Sequence, residues 1–192
     1  MTNAGESSDP LEHLGREHLL LERVFRALER VLDAIDQGSE ASRTELALVV
    51  DFLTLFGDLR HHDKEESLLV PVLIANGFDW YDGPLAQMRR DHRQERYMVR
   101  VLSDLVEQDG EWSKEDRRHL VGVGREFVAF MRAHMKLENE QILAPARTRL
   151  PSEAKARLLS EFERFDAEHA SSTNYAQALE RMESLLAAGP QR

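Results

Sequence analysis

Cysteine is absent from all 192 residues. That excludes a disulfide framework, thiolate-ligated zinc, cysteine-held iron–sulfur clusters and a thiol nucleophile. Glycine and proline are scarce, at 10 and 6 residues, and no β-branched runs alternate, so sheet is disfavoured against helix. No apolar stretch approaches the roughly 20 residues that span a bilayer, which argues against a membrane partner. The first ten residues lack the charged-then-apolar pattern of a secretory signal. With no cysteine either, the expected compartment is the cytoplasm. An excess of positive charge is missing too: the formal charge is −10, so no basic face is available for nucleic acid. What remains is an acidic, single-domain chain with eight histidines, better suited to cations than to anions.

The punctuation divides the chain into helices. Asp9-Pro10 opens the first and Gly38 closes it. Its apolar stripe runs Leu11, Leu14, His18, Leu21, Phe25, Leu28, Leu32 and Ile35 at spacings of three and four, with a histidine inside it. A second helix runs to about Pro71 with His61, Glu65 and Leu68 facing inward. Gly83-Pro84 opens a third, whose stripe includes Met88, His92, Glu95 and Val99. Ser113 with Asp116 caps a fourth, with Phe127, Phe130, His134 and Glu138 in line. Pro145 and Pro151 bracket a break, and a fifth helix is expected over residues 151–189. The predicted fold is all-α: an antiparallel up-down four-helix bundle over 11–146 with an additional C-terminal helix packed on it, and frayed ends at 1–10 and after Gly189.

Each bundle helix carries one histidine in its stripe: His18, His61, His92 and His134. Two are followed four residues later by glutamate, as His61-x-x-x-Glu65 and His134-x-x-x-Glu138. Residues four apart share a helical face with Cα atoms about 6 Å apart, so each pair addresses one small centre. A lone inward histidine is usually a core residue with one hydrogen bond. Two buried carboxylates alter that balance, because each costs several kcal/mol unless a cation satisfies it. No arginine recurs in the inward stripes, whereas a metal satisfies carboxylates and imidazoles together. The mixed N/O set exceeds what one tetrahedral zinc accepts. Histidine and glutamate on facing bundle helices are the usual scaffold for two iron or manganese ions, with zinc as a further substitute.

The segment His61-His62-Asp63-Lys64-Glu65-Glu66, followed by Leu68-Leu69-Val70-Pro71, resembles the HHxxEE…LFP signature of hemerythrin-like cation-binding domains. The order His18, His61-x-x-x-Glu65, His92, His134-x-x-x-Glu138 is similar to that family's ligand pattern. The resemblance implies a non-haem di-iron centre with Glu65 and Glu138 as bridges and the four histidines as terminal ligands. It further implies small-molecule partners (dioxygen, hydrogen peroxide or nitric oxide), with peroxide breakdown or iron oxidation as the reactions. Sensing or storage of oxygen or iron without turnover, and repair of nitrosative damage, are the alternatives, and the chain is expected to be a monomer or homodimer. Oxygen carriers of this family have a paired HxxxH on the third helix. Here Met88 and Arg96 stand four residues either side of His92, so one iron is a histidine short. Candidates for the gap are His169, in line with Phe162 and Phe165, and His62, Glu66 and Glu95. His62 and Glu66 lie about 100° round the helix from the main pair, which favours places behind the ligands. Glu95 is either a ligand or a partner for Arg96. Tyr97 and Tyr175 are further oxygen donors.

Overall fold

The computed structural model describes residues 9–39, 42–170 and 173–187, with the side chains of Ser42, Ala170 and residues 173–176 left out. Of the N-terminal segment expected to fray at 1–10, residues 1–8 lie outside the described residues, as do 190–192 and the Tyr175 side chain, while Asp9 and Pro10 belong to the start of the first helix.

Helix α1 (Pro10–Asp36) starts where Asp9 Oδ1 accepts the Leu11 N–H at 2.9 Å with Pro10 in the first turn, and stops ahead of Gly38 at φ +87°. The second bundle rod is composite: α2 (Ser42–Phe52) widens into a π-helix, π1 (Leu53–His62), then π2 (Glu65–Leu69), and regains α geometry as α3 (Val70–Ala75). Helix α4 (Gly83–Glu107) is capped by Asp82. Helix α5 (Lys114–Leu137) is opened by the reciprocal Ser113/Asp116 capping box and runs through π3 (Glu138–Leu143) into α6 (Ala144–Arg149). Pro145 therefore does not break the rod as the sequence suggests. It sits in the first turn of α6, behind a wide π turn that relieves the clash a proline ring makes with the preceding carbonyls. Pro71 occupies the matching place in α3. The fifth helix expected over residues 151–189 is described as α7 (Ser152–Ala170) and α8 (Thr173–Ala187), and residues 171–172 lie outside the described residues.

Helix α1 packs against α2 and α5, and α4 against the same two, which closes a four-rod ring. Helix α7 rests on α1 and π2, and α8 on α1 and α2. The core is split into two apolar clusters. One contains Leu11, Leu14, Leu69, Leu73, Leu85, Met88, Ile142, Leu158 and Phe162. The other contains Leu21, Phe25, Leu28, Phe52, Phe56, Met98, Leu102, Phe127 and Met131. Along α1 the chain meets the first cluster, then His18, then the second. Along the second rod the order reverses, and it alternates again in α4 and α5. That alternation is the signature of up-down-up-down topology, and it leaves a polar layer sealed between two hydrophobic plugs. The helices approach closely near the second plug: a Cβ on Gly124 of α5 would stand 2.7 Å from both Leu32 methyl carbons. No strand occurs among the described residues, and no described helix is long and apolar enough to cross a membrane.

Candidate metal centre

The polar layer holds His18 from α1, His61, His62 and Glu65 from the π-helical stretch, His92 and Glu95 from α4, and His134 and Glu138 from α5 and π3. All eight are at most 4% exposed. His61 and His62 end π1, Glu65 begins π2 and Glu138 begins π3, so the glutamate of each H-x-x-x-E pair opens a widened turn. Such turns collect at functional sites because they redirect side chains that a regular helix would send elsewhere.

The six main residues are brought together, and their atoms divide into two sides. The Glu138 Oε2 lies 3.2 Å from His18 Nε2, while its Oε1 lies 3.2 Å from His134 Nε2 and 3.4 Å from His92 Nε2. Glu65 repeats the arrangement, with Oε1 3.8 Å from His61 Nε2 and Oε2 3.5 Å from His92 Nε2. One oxygen of each carboxylate thus faces the His18/His61 side and the other faces the His92/His134 side. None of these contacts has hydrogen-bond geometry: the four Nε2 atoms and all four carboxylate oxygens are buried without a hydrogen-bonding partner. Leaving one such group unsatisfied costs about 1–3 kcal/mol, so eight converging on one space mark a place for a cation.

The outward Nδ1 atoms are, by contrast, all engaged. His18 donates to Asn139 Oδ1 at 3.0 Å, His61 to Glu17 Oε2 at 2.9 Å, and His92 to Glu66 Oε1 at 2.6 Å. His134 reaches Asp91 Oδ2 at 3.4 Å, and Gln87 donates to the other Asp91 oxygen. Fixing the outer nitrogen in this way presents the inner nitrogen lone pair to a metal and orients the ring.

His62 does not lie behind the ligands as helical rotation suggests. It is 1% exposed, stacked on His92 with ring centroids 4.0 Å apart, and grouped with His92 and His134 so that one nitrogen of each lies within 4.8 Å of the others. The reason is the π winding, which fits more residues into each turn and brings neighbours His61 and His62 onto the same inner face. Both His62 nitrogens lack a partner. Burial, reinforced by His92, His61 and His134, holds His62 well below its usual pKa, which favours its neutral form. His169, the other histidine offered for the gap, is not part of the layer. Its Nδ1 donates to the Phe165 carbonyl at 2.8 Å and its ring stacks on Phe165, one turn back on the same helix.

Glu66 is one-third exposed and accepts from both His92 and Arg96. Arg96 pairs with Asp58 and Glu66 rather than with Glu95. Glu95 itself is buried, and burial together with the Asp58 charge pushes its carboxyl up to about 8. Of the two facing carboxylates, burial and Glu138 push Glu65 up. Burial also opposes ionisation of Glu138, but His134, His18 and His92 outweigh it and hold Glu138 well below its usual range. Tyr97 is exposed and away from the layer.

Sequence reasoning missed a second polar group. Lys64 is completely buried: its Nζ lies 2.6 Å from Glu17 Oε1 and 2.6 Å from Asp166 Oδ1 of α7. Asp166 also takes His13 Nε2 at 2.8 Å and Arg60 Nε at 3.1 Å. Helix periodicity gives no warning of this, because the pairings cross between rods. The one sequence signal is the position of Lys64 inside the His61–Glu66 motif.

The model of the hemerythrin HHE cation binding domain matches residues 9–146. No curated protein and no solved structure matches the chain.

Proposed function

The chain belongs to the hemerythrin HHE cation-binding family, and on that premise we propose that its polar layer holds two non-haem iron ions that bind and react with small oxidants. The observation that carries this reading is the split of each carboxylate between two histidine groups. One ion would take His18, His61, Glu65 Oε1 and Glu138 Oε2. The other would take His62, His92, His134, Glu65 Oε2 and Glu138 Oε1. Glu65 and Glu138 would serve both ions, and His62 would supply the histidine that the spacing around His92 leaves out. A bound iron pair supplies redox exchange between ferrous and ferric states and open positions for an incoming ligand. Manganese fits the same donors, while zinc with its four-coordinate preference cannot use the whole set.

The residues themselves do the rest. Asn139, Glu17, Glu66 and Asp91 lock four imidazoles in one tautomer. The two apolar plugs exclude bulk water, which favours dioxygen, hydrogen peroxide or nitric oxide over larger or charged substrates. Peroxide breakdown is the reaction we favour, because Glu65 and Glu138 each face both histidine groups and would hold two redox-active ions side by side, which together would supply the two electrons that peroxide cleavage exchanges.

Iron-loaded protein is expected to consume hydrogen peroxide catalytically, with oxygen release measured at an electrode, at a rate well above chelator-treated protein and equimolar free iron. His62→Ala is expected to lower the rate while leaving one ion bound. Spectral changes that saturate with peroxide or nitric oxide, without consumption, would instead make this a sensor or store and contradict the catalytic reading.

A further inference from the structure

A further cluster of metal-ligating groups lies beside the polar layer. Asp58 in π1, His62 at its end and Glu95 on α4 each offer one ligand atom, and these atoms lie within 4.8 Å of one another. Glu95 and His62 are each 1% exposed; Glu95 Oε2 and both His62 nitrogens have no hydrogen-bonding partner, and His62 Nδ1 is 3.8 Å from Glu95 Oε2. Gly57 of π1 faces the same point, where an added Cβ would meet Glu95 Oε1 only at ordinary contact distance, 4.0 Å. Asp58 and Glu95 also line a groove of about 320 Å³ that runs between π1 and α4, with Thr54 and Arg96 beside them and Asp104 and Glu107 further along.

We propose that Asp58, His62 and Glu95 form a separate divalent-cation site, a loading site through which a hydrated ferrous-type ion passes from the groove to the dinuclear centre. The inference rests on the two-iron reading of that centre. Its donors are two carboxylate oxygens and one imidazole nitrogen, a set suited to ferrous, manganous or cobaltous ions. The centre is plugged by apolar residues at both ends, so an ion must come in from the side, and the groove is a side opening that reaches a buried carboxylate. His62 belongs to both groups, which leaves an ion held by Asp58 and Glu95 one imidazole away from the His92/His134 position. Arg96 holds Asp58 through its Nε at 2.6 Å and Glu66 through an outer nitrogen at 3.0 Å. Its positive charge fixes Asp58 while weakening cation affinity, and a site that passes its ion onward must bind it weakly.

The test uses the full chain and cobalt(II), whose visible absorption reports coordination. In stopped flow, Asp58→Asn and Glu95→Gln are expected to slow filling of the centre at least tenfold while final occupancy of the centre is unchanged. At excess cobalt, with His62 engaged at the filled centre, the unsubstituted protein is expected to bind one further, weaker ion on Asp58 and Glu95 that both variants lack. Filling at the unsubstituted rate in both variants overturns the loading site. So does a Glu95→Gln protein that fills at the normal rate but holds the centre's ions more weakly, since Glu95 would then only position His62. Unsubstituted protein that takes up no cobalt would sink the dinuclear centre itself, a result that neither variant's kinetics can imitate.

Discussion

Glu138→Gln protein is expected to melt at the same temperature with and without iron, whereas the unsubstituted protein should gain on the order of 10 °C on loading. Glu138 is the residue whose two oxygens face three histidines across both sides of the layer, so neither ion keeps a full donor set without it. An ion present at about a thousand times its dissociation constant stabilises the native state by about 4 kcal/mol. For a chain of this size each kcal/mol moves the melting temperature by roughly 2–4 °C. Glutamine keeps the volume and removes the charge, so a lost shift reports coordination rather than a cavity. Calorimetry on loaded and chelated samples reads the difference. A shift that survives in the variant would show that the ion binds elsewhere.

Lys64→Met is expected to cost about 3 kcal/mol or more whether or not metal is bound. The substitution leaves Glu17 and Asp166 in place without the ammonium that lies 2.6 Å from each. Breaking a buried pair by removing one partner typically costs about 3–5 kcal/mol, because an uncompensated charge stays behind. Burial opposes ionisation of Glu17, yet His13, His61 and Lys64 together hold it well below the usual carboxylate range.

The same network fixes an acid limb. Burial works against the Asp166 charge, but His13, Lys64 and Arg60 bring its pKa down from 3.8 to about 2. A carboxylate whose folded pKa is depressed adds stability above its unfolded pKa. That contribution is lost as pH falls from about 4 towards 2. Lys64→Met should flatten this limb. Urea midpoints at pH 7, 4 and 2.5 would measure both effects, and equal losses at all three would show that Lys64 acts through packing alone.

Much of this was legible in the residues. The stripes through His18, His92 and His134 place those side chains correctly because α1, α4 and α5 are regular where they carry them. The bundle order follows from the start signals at Asp9-Pro10, Gly83-Pro84 and Ser113 and the stop at Gly38. The π-helical stretches were not legible. Nothing in a 3.6-residue period marks where a helix will widen, and that widening turns His62 inward. Pro71 and Pro145, read as ends, instead stand just beyond the widened turns. The Lys64–Asp166 pairing was equally hidden, because α7 lies outside the four-part histidine pattern and only packing brings Asp166 to π2.

Metal content settles the central claim most directly. Protein purified without a metal-binding tag, reconstituted anaerobically with ferrous iron, desalted and submitted to elemental analysis should retain close to two irons per chain. Air oxidation should then give the near-ultraviolet absorption of bridged ferric ions. Retention of no iron, or of the same trace amount by unsubstituted and His134→Ala protein, would contradict it and leave the converging imidazoles and carboxylates without a cation.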